Sequence, residues 1–86
     1  MAKKYKIIFA PVAERQFKRL DYSIQIRVGR AIAKLAFDPS LGKQLKGELK
    51  DYRSLRVGDW RVIYFIYHSK IQIEIIRVAH RREVYG

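Results

Sequence analysis

The chain has 86 residues, enough for one domain with a modest core and too few for two. Hydrophobic residues make up 49% and aromatics 13%, which argues against a disordered chain, and no stretch approaches the ~20 apolar residues of a membrane span. Lysine and arginine number 19 against 8 acidic residues, a formal charge of +11 that points to a polyanionic partner; the absence of cysteine excludes a disulfide frame and a thiolate zinc site.

The N-terminal MAKKYKIIFAPVAE places basic residues before IIFA, but that apolar run is shorter than the ~7 residues of a signal peptide and Pro11 stops it. The expected address is therefore the cytoplasm. No repeat, low-complexity tract or Gly/Ser/Pro-rich linker divides residues 1–86, which read as a single unit. Residues 4–9, KYKIIF, are rich in β-branched and aromatic side chains and read as a strand, followed by a proline suited to a helix start. From Val12 the apolar positions Val12, Ala13, Phe17 and Leu20 recur at helical spacing. Asp21 and Ser23 then offer an N-cap for a second helix, with Ile24, Val28, Ala31, Ile32 and Leu35 on one stripe and Arg27, Arg30 and Lys34 opposite. Asp38-Pro39 ends it. The charged faces of this helix hairpin read as solvated surface.

Residues 40–51, SLGKQLKGELKD, read as a basic loop, although Leu41, Leu45 and Leu49 at spacings of four also permit a short helical turn. Three strand-like runs follow, YRSLRV (52–57), WRVIYFIY (60–67) and IQIEIIRVA (71–79), separated by Gly58-Asp59 and by His68-Ser69 with or without Lys70. They predict an antiparallel meander. A two-residue loop with glycine first suits a type II′ turn and pairs Val57 with Trp60, Arg56 with Arg61 and Leu55 with Val62. A His68-Ser69 loop would set Ile66 against Ile71, Tyr64 against Ile73 and Val62 against Ile75. One face then carries Leu55, Val57, Trp60, Val62, Tyr64, Ile66, Ile71, Ile73 and Ile75, which makes Trp60 a core residue; the other carries Ser54, Arg56 and Arg61.

Two arginines directly opposite each other cost a few tenths to about 1 kcal/mol. Antiparallel order also brings the tail HRREVY (80–85) to the same end, so that Arg56, Arg61, Arg81 and Arg82, with His80 and Tyr85, gather there. Such a cluster repels itself unless an anion sits within it, which favours a phosphate site. His80 reads equally well as a hydrogen-bonding residue at a strand end, and His68 as a turn residue. Two histidines leave little scope for metal chemistry, and neither metal nor cofactor is expected.

The runs YRSLRVGDWRVIY and RVAHRREVY resemble the RelE toxins of the RelE/ParE toxin–antitoxin superfamily, and the resemblance spans essentially the whole chain. It implies an α+β fold, an N-terminal strand and two-helix hairpin packed on a mainly antiparallel twisted sheet. It also implies a toxin that cleaves messenger RNA in the ribosomal A site and is neutralised by a RelB-like antitoxin in a hetero-oligomer. By position, Arg56 matches the basic residue before the hairpin turn, Arg61 the arginine after it, Arg81 the arginine following the last strand and Tyr85 the near-terminal tyrosine. Ser54 stands where relatives carry another basic residue, and His80 where relatives carry lysine or histidine. Further RNA contacts are expected from Lys43, Lys46, Arg53, Ser54 and Arg82. The end of the sequence at Gly86 leaves no room for the additional C-terminal helix of some relatives, so the expected inhibitor wraps the sheet or caps the arginines with an acidic segment.

A metal-free ribonuclease lets the ribose 2′-hydroxyl attack the adjacent phosphorus. It needs a base for that proton, positive charge for the phosphorane oxygens and an acid for the departing 5′-oxygen. Arg56 and Arg61 offer planar multi-donor groups for the phosphate and Arg81 for the leaving side. The base is Tyr85, favoured by the resemblance, or His80, whose ordinary pKa of about 6.5 is nearer neutrality. Two other functions are compatible with the same residues: a ParE-like inhibitor of DNA gyrase, and a nucleic-acid-binding module without catalysis.

Overall fold

Proline at position 11 sets the first helix, because its fixed φ is already helical and its missing N–H is one that the first turn leaves unpaired. The computed structural model describes residues 4–85, and their side chains through Glu83. Strand β1 (Lys6–Phe9) leads into helix α1 (Pro11–Lys18) and helix α2 (Tyr22–Leu35). Strands β2 (Lys43–Gln44), β3 (Tyr52–Val57), β4 (Trp60–Tyr67) and β5 (Gln72–His80) follow, and then the short helix α3 (Arg81–Tyr85). The sheet order is β1-β5-β4-β3-β2, with β1 parallel to β5 and the other neighbours antiparallel, so the fold is α+β with a mixed five-stranded sheet. No helix is long and apolar enough to cross a membrane among the described residues.

The helix hairpin covers one face of this sheet. Ala13, Val28, Ile32 and Leu35 meet Val62, Tyr64, Ile73, Ile75 and Val78, and Trp60, Leu55, Val57 and Ile66 pack around them. Each fully buried aliphatic side chain contributes about 1.5–3 kcal/mol. Val12, expected on the buried stripe of α1, is instead 49% exposed, because an eight-residue helix covers the sheet over little more than two turns. Asp21 occupies the N-cap of α2 without a side-chain capping bond, and Gln25 Nε2 ties the hairpin by donating to the Phe17 carbonyl at 3.1 Å.

The first hairpin of the meander has the expected register: Val57–Trp60, Arg56–Arg61 and Leu55–Val62. The second does not. Residues His68–Lys70 form a 3-10 turn and Ile71 takes a left-handed φ of 51°, so the loop is longer than His68-Ser69. Ile66 therefore pairs with Ile73 rather than Ile71, and Tyr64 with Ile75 rather than Ile73. A bulge at Ile63/Tyr64 then sets Val62 against Val78 rather than Ile75. The slip of two residues preserves the side-chain alternation, which is why the core face survives it apart from Ile71.

Three further features depart from expectation. The basic loop contains the edge strand β2, which pairs Lys43 with Ser54 and Gln44 with Arg53, flanked by 3-10 turns at Pro39–Leu41 and Gly47–Leu49. Buried Tyr64 anchors this segment: its hydroxyl donates to the Pro39 carbonyl at 2.6 Å and accepts from the Gly42 amide at 2.9 Å. A Cβ on Gly42 would lie 2.6 Å from that hydroxyl, so the approach requires glycine. Finally, the tail residues Arg81–Tyr85 coil into a helix.

Candidate functional site

The site is built on the β3–β4 turn. Gly58 has φ 60°, while Asp59 stays outside the left-handed region, as a type II′ turn requires. In such a two-residue hairpin the closing pair Val57–Trp60 is the hydrogen-bonded one, so the next pair, Arg56 and Arg61, is of the closer kind, with Cα atoms about 4.5 Å apart. Both lie on the face opposite the helices. Arg56 is exposed and its Nε donates to the Gly58 carbonyl at 3.4 Å; Arg61 is half-buried and its Nη1 lies 3.5 Å from the Trp60 carbonyl.

The end of β5 reaches the same place, since Arg61 pairs with Ala79 and Trp60 with His80. Beyond Phe9–Ile75 strand β1 ends and β5 loses its second neighbour, so Gln16 of α1 takes over, its Oε1 accepting from the Val78 amide at 2.8 Å. The first residue after β5 is then moored to the turn. The Arg81 amide donates to the Asp59 carbonyl at 2.7 Å, and its Nε stands 3.9 Å from Asp59 Oδ1, with the two side chains 56% and 64% exposed. An ion pair so open to water is weak and readily exchanged for another anion.

His80 reaches this end but lies on the side of Trp60, not of Arg61: the two rings are edge-on at 5.4 Å. Its Nδ1 accepts from the Arg82 amide at 3.3 Å, which makes Nε2 the proton-bearing nitrogen of the neutral ring. Arg82 is exposed on α3. Tyr85 closes α3, and the position of its side chain lies outside the described residues. Ser54 is half-buried on the arginine face between Lys43 and Ile63, and Lys43 is exposed beside it. Lys46 is exposed ahead of the Gly47–Leu49 turn.

Arg53 does not join the arginine pair. It shares the helix-side face with Leu55, opposite Tyr64, and its Nη1 donates to the Gly42 carbonyl at 2.7 Å, so its visible task is to hold the β2 segment. Strict alternation along β3 already assigns it there. Arg27 is exposed, as expected of the charged stripe of α2, and it also approaches the turn: a Cβ on Gly58 would lie 3.1 Å from its Nη2, so α2 delivers a further guanidinium there. Nothing in the sequence pattern signals this, because it depends on where the helix packs. Among the described residues no group of three or more His, Asp or Glu is placed to hold a metal ion. What the arrangement offers chemically is a set of guanidiniums from β3, β4, α2 and the start of α3 around one exposed turn, suited to a phosphate.

The family described as the ParE toxin of type II toxin-antitoxin system, parDE, matches residues 7–85. Toxin RelE of Mycobacterium tuberculosis is 31% identical over 94% of this chain and 86% of its own length. Toxin RelG of the same organism is 32% identical over 94% of this chain and 95% of its own. Among solved structures, the toxin-antitoxin complex RelBE2 from M. tuberculosis matches with a TM-score of 0.84 at 32% identity, over 92% of this chain and 93% of the other. The isolated E. coli RelE toxin matches with a TM-score of 0.80 at 21% identity, over 94% and 90%, a likeness of fold.

Proposed function

The chain belongs to the family of ParE-type toxins of type II toxin–antitoxin systems, within the RelE/ParE superfamily, and from that premise we propose that it is a metal-independent endoribonuclease cleaving messenger RNA in the ribosomal A site. The observation that carries this reading is the Arg56–Arg61 pair with Arg81 moored to the turn between them. In the proposed reaction the 2′-oxygen bonds to phosphorus as the bond from phosphorus to the 5′-oxygen breaks. The 2′-hydroxyl proton passes to a base, and a proton arrives at the departing oxygen. Arg56 and Arg61 grip the phosphate and stabilise the charge that grows on its equatorial oxygens, and Arg81 exchanges Asp59 for the leaving side.

Tyr85 is the proposed base, on the strength of its match to the near-terminal tyrosine of the RelE toxins. His80 has Nδ1 already engaged by Arg82 and offers the Nε2–H as a donor. Ser54, Lys43, Lys46 and Arg82 supply further contacts to RNA. The RelBE2 toxin-antitoxin complex from M. tuberculosis supports a RelB-like partner in a hetero-oligomer. The proposed mode of inhibition is an acidic segment of that partner capping the arginines, and the proposed place of action, with translated message as the substrate, is the cytoplasm.

Cleavage of a translated message in a cell-free system tests this. Arg61→Ala and Tyr85→Phe are each expected to slow cutting by on the order of a hundredfold; wild-type rates in both would overturn the site. The family description, which names ParE, favours one second reading, a gyrase inhibitor acting through protein contact. DNA damage with intact message during growth arrest would select it, and RNA binding without cutting would leave a non-catalytic module.

A further inference from the structure

On the arginine face of the sheet, one rung beyond Arg56–Arg61, lies the rung Ser54–Ile63, and there a groove of about 450 Å³ opens. Leu45, Leu49, Tyr52, Ile63, Ile76 and Arg77 line it with Ser54. The bulge opposite Ile63/Tyr64 creates it. Strict alternation would send either Ile76 or Arg77 to the helix side, but the extra residue on β5 lets both face the groove, a re-aiming for which bulges beside functional sites are known. Leu49 remains 53% exposed on its rim. One wall carries Tyr52, its ring held edge-on to Phe65 at 5.5 Å; the other, two strands and so about 10 Å away, carries Arg77.

We propose that this groove receives a single nucleobase of the RNA strand whose adjacent phosphate sits on Arg56 and Arg61. The inference rests on the ribonuclease reading. A strand held by its phosphate at the arginine pair has to lay a neighbouring nucleotide over the next rung of the same face, and that rung is the groove floor. Single-stranded RNA is recognised by unstacking bases onto aromatic rings and guanidinium planes, and the groove supplies one of each above an aliphatic floor. Lys43 beside Ser54 and Arg77 beside Ile63 flank the floor with positive charge, which matches a polyanion along both sides. Tolerance for any base is expected, since lining of this kind has few groups that read base edges.

The test is an NMR titration of the protein with an RNA trinucleotide made uncleavable by a 2′-deoxyribose at the cut position, observing Ile and Leu methyls and arginine Nε–H groups. The methyls of Leu49, Ile63 and Ile76 are expected to shift with the same Kd as the Arg56 and Arg61 resonances. Removing the base from one neighbour of the bound phosphate should abolish the methyl shifts, keep the arginine shifts and weaken binding about tenfold. Tyr52→Ala should weaken the intact trinucleotide similarly and the abasic one not at all. Arginine shifts without methyl shifts, or methyl shifts that survive removal of either base, would overturn the groove while leaving the ribonuclease reading intact. Arginines that do not respond would overturn both. Groove methyls that ignore RNA but are buried by the antitoxin would assign the groove to protein and overturn the proposal.

Discussion

Arg56 and Arg61 face each other at the shorter of the two antiparallel spacings, beside a turn that Arg27 and Arg81 also approach. Charge placed this way opposes folding and, in the proposed function, serves binding, so the two should separate on mutation. Arg56→Gln is expected to raise unfolding stability by a few tenths to about 1 kcal/mol in a denaturant titration while reducing cleavage at least tenfold. Tyr64 behaves in the opposite sense. Burial pushes its phenol above the usual value of about 10, against the pull of the Gly42 amide and the Arg53 guanidinium. Because the folded-state value is the higher one, the stability linked to this proton is complete below pH 10 and is lost as pH rises through the folded value. Tyr64→Phe should remove Tyr64's part of the alkaline loss and cost about 1–3 kcal/mol, since it frees the Gly42 amide and the Pro39 carbonyl. Chemical denaturation at neutral pH and above pH 10 checks both. The arginine pair was legible from the Gly58-Asp59 turn, whereas Tyr64's hydrogen bonds were not, because they run to a loop whose path no local pattern specifies.

At the scale of elements, strand β5 does the most to assemble the site, and it was the element least legible beforehand. Its alternation reads cleanly from Gln72 to Ile75, then fails where one extra residue turns both Ile76 and Arg77 outward. The 3-10 turn at His68–Lys70 hid for a related reason: β-branched Ile71 reads as strand, yet it sits at a left-handed position. Strand β2, two residues long, is too short to carry a pattern at all. Helix α2 was readable because its apolar stripe repeats over nearly four turns, and α1, little more than two turns long, chiefly because Pro11 marks its start. Gln16 shows how α1 contributes beyond its stripe, by satisfying the Val78 amide where β1 no longer reaches. Gln16→Ala should therefore destabilise the fold by about 1–3 kcal/mol and loosen the β5–α3 junction. Faster amide exchange at Val78 and at Arg81 in native-state hydrogen exchange is the expected signature, and unchanged protection at both would show that the contact is dispensable.

The molecule as a whole carries a formal charge of +11, far beyond what one phosphate pocket requires. If RNA is the substrate, as proposed, much of that charge should act collectively by releasing counterions from it, and binding should be steeply salt-dependent. Lys43→Ala is expected to weaken RNA binding with the cleavage step intact and to reduce the slope of log K against log salt by about 0.7, the amount for one phosphate contact on a single strand. Arg61→Ala should slow single-turnover cleavage as well, because its contact strengthens as charge develops. The helix-covered core and the two-sided sheet were foreseeable from pattern, and so was the convergence of charge at one end of the sheet. The groove next to it was not, since it depends on a bulge and an edge strand together. The central claim, that this constellation directs the 2′-hydroxyl against its own phosphate, is tested most directly by the ends of the cleaved message. Cleavage in the presence of a chelator should yield 5′ fragments ending in a 2′,3′-cyclic phosphate, and fragments ending in a free 3′-hydroxyl, or cutting that stops when metal is removed, would contradict it.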